Sequence, residues 1–255
     1  MEGKLIIHII NTLADQDNLR PEEKHDLQKG VTNVVNMFHG FGFCLSQEDD
    51  LLSQWRGYAD NGTGVSIGFS KDKLRDVLNS DIGNPNRMMS DLREVLYVPE
   101  EQIESVRGTY NGIKQLVDKG ALKPPSPGGL LDPRSDDEKQ KERDDYNKLV
   151  TELSGNIILL LPQLYVLKNK AFSEEKEWRL LTHTLGNSFS GCSFRPAGNT
   201  IAPYCEYRID GLAGSLLTDI VLGPKNQTPI PVIKSYLLSE GFGDVVVRRS
   251  QATYR

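Results

Sequence analysis

Two dense polar-aromatic segments, far apart in the chain, most constrain what this sequence can build. The first is Cys44-Leu-Ser-Gln-Glu-Asp-Asp-Leu-Leu-Ser-Gln-Trp-Arg-Gly-Tyr-Ala-Asp60, which runs on into Gly64-Val-Ser-Ile-Gly-Phe69. The second is Phe172-Ser-Glu-Glu-Lys-Glu-Trp-Arg-Leu-Leu181. Each sets Trp-Arg beside carboxylates and ends in an apolar stretch that reads as a strand. The two tryptophans of the chain, Trp55 and Trp178, occur only in these segments. Such a concentration of aromatic and charged groups points to a site.

Strand geometry gives the second segment its chemistry. Alternate side chains of a strand share a face. Glu175, Glu177 and Arg179 are therefore expected on one face, with Lys176, Trp178 and Leu180 on the other. A partly buried row of two carboxylates and a guanidinium can raise one carboxyl pKa and hold the other carboxylate ionised. That suits chemistry at a sugar carbon, where one carboxylate stabilises an oxocarbenium ion and its neighbour handles the proton. The plainer alternative is a solvated edge strand carrying a Glu–Arg pair, worth about 1 kcal/mol or less. In the first segment, Arg56 could clamp a phosphate or carboxylate, and Trp55 or Tyr58 could stack on a base or nicotinamide ring. Ser46, Ser53 and Gln54 lie close by. Alternatively Trp55 and Tyr58 pack into the core, and Arg56 satisfies buried carbonyls or pairs with Glu177.

Other motifs exclude more than they suggest. Gly62-x-Gly64-x-x-x-Gly68 is off by one from a dinucleotide loop and enters a strand, so a hairpin turn is expected there. The four histidines, His8, His25, His39 and His183, lack metal-ligand spacing, and no metal site is expected. The three cysteines, Cys44, Cys192 and Cys205, show no CxxC spacing and predict neither a disulfide framework nor zinc; Cys44 reads as a buried structural thiol. Net charge is −5, which gives the whole chain no footprint for nucleic acid. Nothing approaches the roughly 18 consecutive apolar residues of a membrane span. The N-terminus lacks a signal-peptide pattern, which makes the expected location cytoplasmic.

At 255 residues the chain is long enough for a sizeable core, and residues 1–255 are expected to form a single α+β domain. Helices are expected over Leu5–Leu13, Glu22–Phe38, Asp49–Tyr58, from Ser70 through Leu78, and from Pro99 toward Lys119. A further charged helix follows Asp137 and turns apolar between Leu149 and Leu167, and a last one covers Pro229–Glu240. Strands are expected at Phe41–Leu45, Val65–Phe69, Val95–Val98, Trp178–Thr182, Ser193–Arg195, Tyr204–Ile209, Ile220–Leu222 and Val245–Arg248. Asp81–Asn86 reads as a loop, and Lys123–Asp137 as the clearest linker or mobile loop. The expected sheet is mixed, mainly antiparallel and curved, with helices packed around it.

These segments resemble an uncharacterised bacterial family, the domain of unknown function twenty-nine seventy-one. The resemblance rests on Phe43 through Ala59, Gly64-Val-Ser-Ile-Gly-Phe69, Glu175-Lys-Glu-Trp-Arg-Leu180, Ile201-Ala-Pro-Tyr204, Val221-Leu-Gly-Pro224 and Ser250-Gln-Ala-Thr-Tyr-Arg255, in the family's order. It implies an ADP-ribosyltransferase-like pattern: a His on a first strand, an aromatic or Ser on a middle strand, and a Glu on a late one. Glu177 would then hydrogen-bond the nicotinamide ribose of NAD, the co-substrate, and stabilise its oxocarbenium-like transition state. Glu175 would orient or deprotonate the acceptor, which could be a protein target. Ser46, Trp55, Arg56 and Tyr58 would line the NAD pocket, with Arg179 in the same cleft. The resemblance further suggests a role in bacterial defence or toxin systems. A non-enzymatic nucleotide- or partner-binding module is the alternative.

Full-length members of the family open on a His-Tyr-Thr-like strand and an Asn-Asp-x-x-Glu-like loop. Neither is present here; His8 is the only substitute, in a helical setting. An N-terminally shortened chain, or a non-catalytic descendant, is therefore expected, and an unpaired sheet edge would favour self-association.

Overall fold

In a computed structural model, residues 3–80, 88–129, 132–186, 189, 192–206 and 213–253 are described. The elements run α1 (Gly3–Gln16), α2 (Pro21–Asn36), β1 (Phe38–Ser46), α3 (Leu52–Tyr58), β2 (Val65–Phe69), α4 (Lys71–Ser80) and β3 (Met88–Glu94). Then come α5 (Pro99–Asp118), α6 (Asp136–Ile158), α7 (Leu161–Leu164), β4 (Glu177–Leu185), β5 (Ser193–Ala197) and β6 (Thr200–Tyr204). The chain closes with α8 (Ala213–Leu216), β7 (Leu217–Leu222), α9 (Ile230–Ser239) and β8 (Val246–Arg249). This is an α+β fold with mainly antiparallel pairing, as expected.

The chain forms two compact units. The first combines Met1–Gly40, Leu96–Lys170 and Leu185–Asn187. It is helical, with α1 packed on α2, α5 and α7, and α6 on α2 and α5. Apolar residues at helical spacing drive it: Ile6, Ile10 and Leu13 of α1 and Val106, Tyr110 and Ile113 of α5 are all essentially solvent-free. Ser135 caps α6 by accepting from the Glu138 amide, while the Glu138 carboxylate accepts from the Ser135 amide. Arg134 ties the preceding loop down, donating to Asp132 at 2.9 Å and to Glu142 at 2.6 Å.

The second unit holds Phe41–Val95, Ala171–Thr184 and Ser188–Arg255. Its strands lie in three small sheets, ordered β1-β4-β3, β2-β7-β8 and β5-β6, where one curved sheet was expected. β2 pairs antiparallel with β7 (Val65 opposite Leu222), and β7 pairs parallel with β8. Leu74, Leu78, Leu92, Leu180 and Leu216 form one apolar cluster, against which Trp178 and Phe69 pack. A second cluster gathers Ile220, Leu222, Leu237, Val245 and Val247 beneath α9.

Three local expectations are corrected. The strand near residue 95 is the preceding segment, Met88–Glu94; of Val95–Val98, Leu96 makes only a bridge to Leu167 before Pro99 opens α5. The strand expected over Tyr204–Ile209 is Thr200–Tyr204, and residues 207–209 lie outside the described residues. The Asp81–Asn86 loop also lies outside them. The glycine segment is no hairpin: Asp60–Gly62 is a 3-10 turn that joins α3 to β2. Gly62 sits at φ 87°, a conformation natural to glycine, and its carbonyl accepts from the Lys225 amide at 2.9 Å.

Candidate functional site

Within the second unit, β1, α3, β2, α4, β4 and β7 enclose a cavity of about 660 Å³. That lies within the range of small-molecule sites, about 300–1,000 Å³. Its walls are aromatic and apolar, with charged groups of both signs. Phe43, Trp55, Tyr58, Phe69 and Trp178 line it, together with Ser46, Lys71 and Asp219.

The strand alternation read from the sequence fixes which residues reach this cavity. Trp178 and Leu180 belong to the face of β4 that packs with the leucine cluster. Glu177 and Arg179 alternate with them and share the opposite face. There the guanidinium grips the carboxylate with two bonds, Nε to Oε1 at 2.7 Å and Nη2 to Oε2 at 3.0 Å. The pair is sealed from solvent, at 5% and 8% exposure. This answers one of the alternatives left by spacing: the Glu–Arg pair exists and is buried, not solvated. Buried pairs of this kind cost much when one partner is removed, because the survivor stays desolvated.

Glu175 is separated from that row. It ends a 3-10 turn, Lys170–Glu175, and Lys176 at φ 43° turns the chain before β4 begins at Glu177. The Glu175 carbonyl accepts from the Ser46 hydroxyl at 2.9 Å, and Lys176 pairs with Glu48 at 2.7 Å. Glu175 therefore belongs to the turn before β4, whereas Glu177 and Arg179 belong to the strand. Glu175, Glu177, Arg179 and Arg56 all lie outside the cavity lining, whereas Ser46, Trp55 and Tyr58 lie within it.

Helix α3 splits its aromatic residues by burial. Trp55 is buried at 2% exposure, whereas Tyr58 is 79% exposed and Arg56 is also exposed. Trp55 is thus a wall and Tyr58 an open ring surface. The Trp55 indole N–H donates to Asp50 Oδ1 at 2.7 Å. Asp50 also receives the Ser250 hydroxyl and the Gln251 amide, the latter at 2.6 Å. Desolvation pushes the Asp50 carboxyl up, but the bonds from Ser250, Gln251 and Trp55 outweigh it and leave its pKa lowered. Arg248 of β8 pairs with the neighbouring Asp49. The C-terminal strand thereby holds the segment that enters α3 and fixes the orientation of Trp55.

The charged groups of the lining are Lys71, Asp219, Glu48 and Asp49. The Lys71 ammonium sits 3.5 Å above the Trp178 ring centroid, a cation–π contact at the mouth of α4. Asp219 Oδ1 accepts from Thr218 at 2.8 Å, while the buried Oδ2 has no hydrogen-bond partner among the described residues. A buried carboxylate oxygen in that state lacks the partner that buried polar groups ordinarily have. Gly68 makes room for it: a Cβ there would come within 2.2 Å of Asp219 Oδ1. Cys44 is exposed and lines the same cavity, not buried as expected.

Sequence reasoning missed Lys71, Asp219 and the Asp50 clasp. Lys71 follows the N-cap residue Ser70, and Asp219 alternates with apolar positions of β7, so neither stands out locally. No group of three or more His, Cys, Asp or Glu residues suited to a metal occurs among the described residues. No helix there is long and apolar enough to cross a membrane.

Residues 54–180 match the family described as "Protein of unknown function (DUF2971)". The match spans α3 to the first residues of β4, and so takes in both Trp-Arg pairs. Neither the curated proteins nor the solved structures yield a match to the chain.

Proposed function

We propose that this chain, which belongs to the DUF2971 family through residues 54–180, binds a nucleotide of the NAD class in the cavity of its second unit. The observation that carries the reading is the lining itself. Open aromatic surface at Tyr58 and Phe43 shares the lining with a lysine and with a carboxylate whose Oδ2 has no hydrogen-bond partner among the described residues. Planar heteroaromatic rings stack on exposed aromatic side chains. A lysine supplies a point charge for phosphate, and a carboxylate accepts ribose hydroxyls. The three parts of a dinucleotide thus each have a counterpart.

Once a nucleotide is bound, two outcomes compete. In the ADP-ribosyltransferase-like reading, the bond from ribose to nicotinamide breaks, a carboxylate stabilises the oxocarbenium ion, and water or a protein side chain attacks the sugar carbon. We assign that role to Asp219, which lines the cavity, whereas Glu177 lies outside the lining and is engaged by Arg179. In the second reading the cavity binds without turnover. The locked Glu177–Arg179 pair favours this binding-module reading.

Titration of NAD into the protein, followed by intrinsic tryptophan fluorescence, tests the binding. Saturable quenching of Trp178 and Trp55 is expected, and its absence up to millimolar NAD would sink the proposal. Chromatography of the same mixture separates the readings. Free nicotinamide, lost in Asp219→Asn, supports transfer or hydrolysis, whereas intact NAD supports a binding module.

A further inference from the structure

We propose that Cys192 and Cys205 form a reversible disulfide that clasps the base of the β5–β6 hairpin. Twelve residues separate them in sequence, and their sulfurs lie 2.7 Å apart. The register explains the proximity. β5 and β6 pair antiparallel from Ala197 opposite Thr200 at the turn to Ser193 opposite Tyr204 at the base. Cys192 and Cys205 are the next residues outward on each side, and so face one another.

The backbone suits the bond. Facing residues of an antiparallel pair have Cα atoms about 4.5–5.5 Å apart, inside the roughly 4.4–6.8 Å span of disulfides. The pair is held in place by its neighbours. The Cys192 amide donates to the Phe189 carbonyl at 3.0 Å, and the Phe189 ring packs edge-on to Phe194 of β5. Across the hairpin, Arg195 lies over the Tyr204 ring. Both cysteines are half-buried, within reach of a small thiol reagent, whereas Cys44 is exposed and far from either in sequence.

The oxidant is a low-molecular-weight disulfide of the glutathione class. The thiolate of one cysteine attacks a sulfur of the reagent, whose S–S bond breaks and releases one thiolate. The second cysteine then attacks the protein sulfur of the mixed disulfide. The Cys192–Cys205 bond forms and the second reagent thiolate leaves. Two electrons pass to the reagent, and the two departing thiolates carry off the two protons. Excess reduced thiol reverses both steps. Closure ties the two strands at their base and removes the fraying of the hairpin from that end.

The test uses the wild-type chain equilibrated in glutathione buffers of graded redox ratio, acid-quenched, alkylated and digested with trypsin. Both cysteines fall on one tryptic peptide, Leu180–Arg208, because the Arg195–Pro196 bond resists trypsin. Cys44 falls on another. Oxidising buffer is expected to yield the Leu180–Arg208 peptide two hydrogens lighter and closed to alkylation, and reducing buffer to restore both thiols. Amide exchange across β5 and β6 should slow in the oxidised form. In Cys192→Ser, Cys205 should carry a persistent glutathione adduct. If the wild-type peptide stays fully alkylated, or carries only glutathione adducts at every ratio, the clasp does not exist.

Discussion

Glu177 is the residue whose meaning changes most between sequence and structure. Alternation along β4 made it legible that Glu177 and Arg179 share a face and that Trp178 takes the other. Nothing local said which face meets the cavity, since that depends on the leucines contributed by α4, β3 and α8. Replacing Glu177 with Gln removes the carboxylate that grips the buried Arg179 guanidinium with two bonds, at a cost of about 3 kcal/mol. Glu177→Gln should therefore lower the melting temperature by roughly 6–12 °C. Nucleotide affinity measured well below that temperature should not change. Unchanged stability with lost binding or turnover would instead place Glu177 in the chemistry.

Asp50 presents the opposite case, a residue visible in the sequence whose role was hidden. Its partners Ser250 and Gln251 come from the far end of the chain, and no local pattern announces a contact over that separation. Its folded pKa is lowered, so its contribution is complete above the unfolded value, about 3.9, and is lost as pH falls through the folded value. Asp50→Asn should be less stable than the wild type at pH 7 by about 1–3 kcal/mol, because the amide nitrogen that replaces one carboxylate oxygen cannot accept and at least one of the three bonds to Trp55, Ser250 and Gln251 is lost. Denaturant melts at pH 7 and pH 3 check the sign: the gap should narrow at the lower pH. A gap independent of pH would show that the Asp50 charge does not hold the C-terminal strand.

Among the elements, the long periodic helices were the most legible, because an apolar stripe repeated over several turns has few other uses. β3 was not. Met-Met-Ser-Asp-Leu-Arg-Glu contains no β-branched residue, and its strand state comes from pairing with β4. Val95–Val98 carries the stronger strand composition, yet the chain there leaves β3 and is about to enter α5 at Pro99. The same limit applies to the glycine turn, whose geometry was sensed but whose neighbour on the other side is a helix. β2 and β7 supply the prediction at this scale. In Gly68→Ala the new methyl meets the end of the Asp219 side chain, which yields more easily than backbone. The carboxylate should swing away, with a stability loss of about 1 kcal/mol or less and a nucleotide Kd at least tenfold weaker. Calorimetric titration and a thermal melt on the same sample measure both, and an unaltered Kd would remove Asp219 from the site.

For the molecule as a whole, composition and patterning made an α+β fold legible, and the resemblance of the Trp-Arg segments led to the family. What they could not show was the division of the second unit's strands into three small sheets, two of which line the cavity. Strand pairing between β2 and β7 joins residues from distant parts of the chain, and such non-local partners leave no mark on either segment. The cavity therefore gathers only part of the residues named from sequence, Ser46, Trp55 and Tyr58. It adds Lys71 of α4 and Asp219 of β7, and takes Trp178 from the face of β4 opposite Glu177.

The central claim is that this cavity takes a nucleotide. Isothermal titration of NAD into the wild type, Asp219→Asn and Glu177→Gln, each confirmed as folded by its melt, tests it most directly. A single saturable site in the wild type is expected, weakened at least tenfold by Asp219→Asn and unchanged by Glu177→Gln. No heat of binding in the wild type, or equal affinity in wild type and Asp219→Asn, would contradict it.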